Sequence, residues 1–172
     1  MTLPVRQVED PVLRQIAQAI PLEDLTAPWL EKIIKEMSVT LAGCVDGVAL
    51  AAPQIGELCR LFIVGGRAFP NRDTTKPWSS DLVFINPVIV RQSRRQVDLT
   101  ESCLSVRNYY GTTKRHERVS VEAYDQLGHK FVRHASGLLA QVFQHEIQHL
   151  DGVLFIDQAR DLHEIEPETN HG

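Results

Sequence analysis

The chain has 172 residues, a mass of 19.4 kDa and 43% hydrophobic content, which suits one soluble globular domain with one core. A formal net charge of -4 and a pI near 6.0 argue against a general nucleic-acid binder. The longest apolar runs, 82-LVFINPVIV-90 and 47-GVALAA-52, are far too short to cross a bilayer, and MTLPVRQVEDPVLRQ lacks a signal peptide's charged-then-apolar order, so the expected compartment is the cytoplasm.

In chain order, Asp10-Pro11 followed by 12-VLRQIAQAI-20 predicts a first helix, capped by Asp10 and with proline in its first turn. A second helix is expected from about Ala27 to Ala42. Its residues Leu30, Ile33, Ile34, Met37 and Leu41 recur at the three-four spacing of one buried face. Segments of β-branched and alternating character follow: 60-RLFIVGG-66, 82-LVFINPVIV-90, 95-RQVDLTES-102, 117-ERVSVEAYD-125 and 130-KFVRHA-135. The polar stretch between Gly65 and Asp81 reads as a surface loop, and 125-DQLG-128 as a hairpin turn. A last helix is predicted from the candidate N-cap Ser136 to the stop residue Gly152. Helices, then strands, then one helix give an α+β class with N-terminal helices, mixed or antiparallel β-sheets and a C-terminal helix. The expected organisation is a single domain over 1–172, with a polar, loosely ordered tail from about 160.

The three cysteines, Cys44, Cys59 and Cys103, are odd in number and irregularly spaced, unlike a disulfide framework. Cys44 and Cys59 are expected to be small buried apolar residues.

The chemistry gathers in 144-QHEIQHLDG-152. Residues four apart on a helix differ by about 40° in direction and about 6 Å in rise, so His145 and His149 project from one face and can share one ion. Glu146 lies beside that face, where a carboxylate can take a proton from water and pass it to a leaving group without being a ligand. The competing reading is a pair of histidines satisfied structurally. Against it, Leu138, Leu139, Val142 and Phe143 make the other side of the helix apolar, which turns the His face toward the rest of the fold.

A helix of this kind supplies only two ligands. Downstream, His163 comes too late and out of phase, and Glu164, Glu166 and Glu168 fall in the polar tail, so the third ligand should lie upstream. Cys103, in 101-ESCLS-105 at the end of a strand, is the candidate. A Cys-His-His set leaves one tetrahedral position open, as catalytic rather than structural sites do.

Three stretches together resemble the peptide deformylase family. They are 47-GVALAAPQIG-56, similar to GxGLAAxQ; 101-ESCLS-105, similar to EGCLS; and 144-QHEIQHLDG-152, similar to QHExDHLxG. The flanks 8-VEDPVLRQIAQAI-20 and 152-GVLFID-157 also look like the family's, so the resemblance spans nearly the whole chain. It implies removal of the formyl group from the N-terminal formylmethionine of nascent polypeptides, at the ribosome exit region, with no direct nucleic-acid recognition and no membrane; the alternatives are a deformylase-like paralogue specialised for another N-formyl substrate, or a generic zinc peptidase. Cys103, His145 and His149 would hold one divalent metal, Fe(II) or alternatively Zn, Ni or Co. Glu146 would be general base and acid, and Gln54 with the backbone N–H of Leu104 would donate to the formyl oxygen.

The resemblance also implies that the peptide adds as a strand beside Gly47 and Val48, with Leu99 and Val142 in the methionine pocket. Glu101 would pair with Arg115 to support the loop carrying Cys103. Four positions depart from the pattern: Ala49 and Ser102 stand for Gly, Gln148 for Asp and Arg107 for Pro. A serine at 102 requires a backbone that does not depend on glycine. Gln148 removes a carboxylate near His149, which predicts rewired hydrogen bonding around the site.

Overall fold

The computed structural model describes residues 2–68 and 82–165, so most of the loop expected between Gly65 and Asp81 lies outside the described residues. In chain order the elements are α1 (Pro28–Ala42), β1 (Ala49–Ala51), β2 (Leu61–Val64), β3 (Leu82–Gln92), β4 (Gln96–Cys103), β5 (Val106–His116), β6 (Arg118–Tyr124), β7 (Lys130–Ser136), α2 (Gly137–Leu150) and β8 (Arg160–Glu164). Short 3-10 turns lie between them, among them Pro11–Arg14, Ala52–Ile55 and Phe155–Asp157. A five-stranded sheet runs β1-β2-β3-β6-β7 and a three-stranded one β4-β5-β8, and every strand pair is antiparallel.

Both faces of the larger sheet are covered, which explains why 61-LFIV-64 is apolar without alternation. Phe62 and Val64 point to α2, while Leu61 and Ile63 point to α1. The expected α1 face forms as read: Leu30, Ile33, Ile34, Met37 and Leu41 are all buried. Each such side chain contributes on the order of 1.5–3 kcal/mol. On the other face Phe62 stacks on Phe84 at 4.6 Å, and Phe143 of α2 closes the cluster at 4.8 Å from Phe84.

The predicted first helix is corrected to one turn, Pro11–Arg14, with the Asp10 side chain accepting from Val12 N as anticipated. Beyond it the main chain finds tertiary partners instead of helical ones. Ala17 N donates to Leu150 O, Gln18 N donates to Leu58 O, and Arg60 N donates back to Gln18 O. Asn86 then grips Ile20 through both its N–H and its C=O, at 2.8 Å each.

The tail expectation is corrected over Arg160–Glu164, which pairs with β5 as a strand, while the rest of the expected tail, 166–172, lies outside the described residues. β5 itself went unread because, after Val106 at its start, its buried positions are Gly111, Thr113 and Arg115, an alternation in burial without one in hydrophobicity. The 125–128 turn forms as expected: Asp125 N donates to His129 O, and Asp125 Oδ1 accepts from Leu127 N and His129 N.

Helix α2 starts after Ser136, whose side chain makes no capping bond, and ends before Gly152. Gly152 has φ +73°, and a Cβ there would stand 2.6 Å from the Arg14 carbonyl oxygen. Only glycine meets both demands.

Candidate metal centre

Two elements meet at the site. From α2, His145 and His149 stand one turn apart with ring centroids 4.9 Å apart. From the end of β4, the Cys103 sulfur lies 3.2 Å from His149 Nε2. One donor atom from each of the three lies within 4.8 Å of the others, the single such group among the described residues. One sulfur and two imidazoles suit a divalent transition ion and leave a fourth tetrahedral position free. Hydrogen-bond satisfaction points the same way. Three buried side-chain polar atoms among the described residues lack a partner, and two of them, Glu146 Oε2 and His149 Nδ1, belong here. The open carboxylate oxygen of Glu146 beside this donor set is what a proton carrier needs, while His149 Nδ1 lies on the ring edge away from the Cys103 sulfur.

The ligands are oriented from behind. Glu101 Oε2 lies 3.1 Å from His145 Nδ1, which leaves His145 Nε2 for a metal. Arg115 holds Glu101 with a two-pronged contact, Nε to Oε1 at 2.6 Å and Nη2 to Oε2 at 2.7 Å, and both side chains are buried. The third guanidinium nitrogen, Nη1, donates to Gln148 Oε1 at 2.7 Å. The departure at 148 therefore keeps an acceptor for Arg115 but makes it neutral. Ser102 is not among the described non-glycine residues with positive φ, which explains why serine is accepted there.

Gln54 reaches the site from the 3-10 turn after β1. Its Oε1 accepts from Ala51 N at 2.8 Å, and its Nε2 donates to Ser105 Oγ at 3.0 Å and faces the Cys103 sulfur at 3.7 Å. The Leu104 carbonyl accepts from Gln7 Nε2, while its N–H is bonded to no described residue.

A cleft of about 440 Å³ opens over these groups. It brings together Val48, Gln54, Glu101, Cys103, Leu104, Val142, His145 and Glu146, all anticipated from sequence. Leu99 does not join them. It faces inward on β4 but lines a separate cavity with Val97 and His116. Two residues along a strand is about 6.6 Å, and Glu101 takes the place beside the histidines. Gly47 is not on the cleft wall either, and its lack of a side chain serves packing: a Cβ would stand 2.8 Å from Leu41 Cδ1 and 2.9 Å from Cys44 Cβ.

Sequence reasoning missed Cys44, Asp46, Leu138 and Ile165 on the cleft wall, and Ser105 beneath Gln54. Cys44, expected buried, is half-exposed there. Cys59 is half-exposed too, and burial, aided by Glu57, pushes its thiol up to about 12.

Electrostatics separates the carboxyls. Burial pushes Glu146 up to about 7, reinforced by Glu101 and opposed by His145. Burial would also raise Glu101, but hydrogen bonds from Arg115 and His145 outweigh it and hold that carboxylate at about 2. Burial pushes His149 well below its ordinary value, the neutral form a ligand needs. Burial works against charging His145, yet contacts with the Cys103 sulfur and the Glu101 carboxylate raise it to about 10. A cation held there would meet the same electron-rich groups.

Comparison with known proteins agrees with this geometry. A family model described as polypeptide deformylase matches residues 2–164. The peptide deformylase of Thermomicrobium roseum is 41% identical over 152 residues, covering 88% of this chain and 82% of that protein. Peptide deformylase 2 of Nostoc sp. is 38% identical over 156 residues, covering 91% and 85%. A solved structure of a class I type b peptide deformylase from Acinetobacter baumannii, bound to Met-Ala-Ser, superposes with a TM-score of 0.81 at 32% identity, covering 92% of this chain and 98% of that one.

Proposed function

This chain belongs to the polypeptide deformylase family, and from that premise we propose how its own residues remove the formyl group from N-terminal formylmethionine. Cys103, His145 and His149 hold one divalent cation, Fe(II) by preference with Zn, Ni or Co as substitutes. The observation that carries this reading is the meeting of those three donor atoms beside the unpartnered, buried Glu146 Oε2. When bound, the cation polarises the formyl oxygen and lets water ionise near neutral pH.

Glu146 takes a proton from the water that adds to the formyl carbon. It returns that proton to the amine as the C–N bond breaks, so formate and a free methionine amine leave. A carboxyl brought to about 7 by burial suits both halves of that exchange. As charge grows on the formyl oxygen, Gln54 Nε2 and the Leu104 N–H donate to it from fixed positions. Val48 and Val142 flank the methionine side chain on the cleft wall. Arg115 and Glu101 keep His145 turned toward the cation.

No helix among the described residues is long and apolar enough to cross a membrane. Because the substrate is a nascent chain, we place the encounter at the ribosome exit region, in the cytoplasm. The test is formate release from a formyl-Met tripeptide by protein loaded anaerobically with Fe(II), Ni or Co. Release is expected, with loss on chelation and restoration on reloading. No release with any of the three, or cleavage of internal bonds in blocked peptides instead, would overturn the proposal.

A further inference from the structure

The carboxamide of Gln54 is tied at both ends. Its oxygen accepts from Ala51 N at 2.8 Å, and its nitrogen donates to Ser105 Oγ at 3.0 Å. A planar amide held at both ends cannot turn about its last torsion. One N–H is therefore committed to Ser105, and the other points at the Cys103 sulfur, to which it donates a long bond of 3.7 Å that an incoming oxygen beside that sulfur can replace. Ser105 is 0% exposed, so no water competes for the bond.

We propose that Ser105 is a positioning residue for the deformylation step, its hydroxyl aiming the second Gln54 N–H at the formyl oxygen. This rests on the role given to Gln54 above. Ser105 also donates its main-chain N–H to the Cys103 sulfur, at 3.4 Å. The two contacts are separable, because a side-chain substitution removes the first and keeps the second.

Ser105→Ala is expected to lower kcat about 10- to 100-fold, the range for misaligning or losing an oxyanion donor. KM should stay within about twofold of wild type, as no binding contact is lost. Metal content should be unchanged, because the N–H on the sulfur remains. In a Gln54→Ala background the same substitution should change kcat by less than about twofold, since its target is gone. Ser105→Cys, close in shape with a weaker acceptor, should fall between wild type and Ser105→Ala, and it guards against a folding defect in the alanine variant. Independently of turnover, NMR of the metal-loaded protein should show faster hydrogen exchange at the Gln54 side-chain amide in Ser105→Ala.

Full kcat in Ser105→Ala, an equal loss with and without Gln54, or a loss tracking departure of metal would each overturn the inference. A wild-type protein that releases no formate would instead sink the functional reading, while amide exchange would still report on the Ser105 contact.

Discussion

Helix α2 has two contrasting sides. On one, Phe143 closes an aromatic cluster with Phe62 and Phe84, all three fully buried among apolar neighbours. On the other, Glu146 and His149 are equally removed from solvent, yet each carries a polar atom with no partner. Burial is the same and satisfaction is not. The first side determines where the helix sits, and the second holds a carboxyl and an imidazole that face the Cys103 end of the site.

The largest effect should come from the unsatisfied side. Glu146→Gln is expected to cut formate release about 10²- to 10⁴-fold, the range for a lost general acid-base, while thermal unfolding shifts little or upward. A large fall in melting temperature would show that the carboxyl serves the fold as well. The packed side should behave in reverse. Phe143→Ala should cost about 3–5 kcal/mol in denaturant unfolding yet keep kcat near wild type well below the transition, because it touches no reacting group.

Arg115→Lys lies between the two sides. It keeps the charge but not the fork on Glu101, so metal affinity measured by competition with a chelator should drop roughly tenfold. The smallest effect is expected at Asp157, which accepts from Arg14 Nη1 at 2.5 Å and Leu154 N at 3.0 Å. Partial burial would raise this carboxyl, but those hydrogen bonds hold it below its ordinary value. Its contribution is therefore present above about pH 4 and fades as pH falls through the lowered value. Asp157→Asn should cost under about 1 kcal/mol at pH 7 and nothing measurable in strong acid.

The same contrast explains what could be read from the sequence. α1 was legible because one apolar stripe meets one sheet, and the α2 pair because four-residue spacing aligns two imidazoles. Cys103 was reachable by counting ligands. β5 and β8 were not legible. Beyond Val106, β5 buries only glycine, threonine and arginine, β8 is exposed throughout, and their pairing is fixed by main-chain bonds that leave no mark on composition. Leu99 lines a neighbouring cavity two residues before Glu101, a placement only coordinates give. Ser105 lay inside the 101-ESCLS-105 motif without a role of its own, because a small uncharged residue acquires meaning only from Gln54, which lies far from it in the chain.

One bond described above bears on how the molecule is made. The carbonyl of Leu150, the residue after His149, is met by the amide of Ala17. Neither stretch is settled until the other reaches it across most of the described residues. Such long-range closure folds slowly, because the entropy of the intervening chain is lost before the contact forms. A cation that needs His149 in place would therefore be taken up late in folding, once that distant contact has closed.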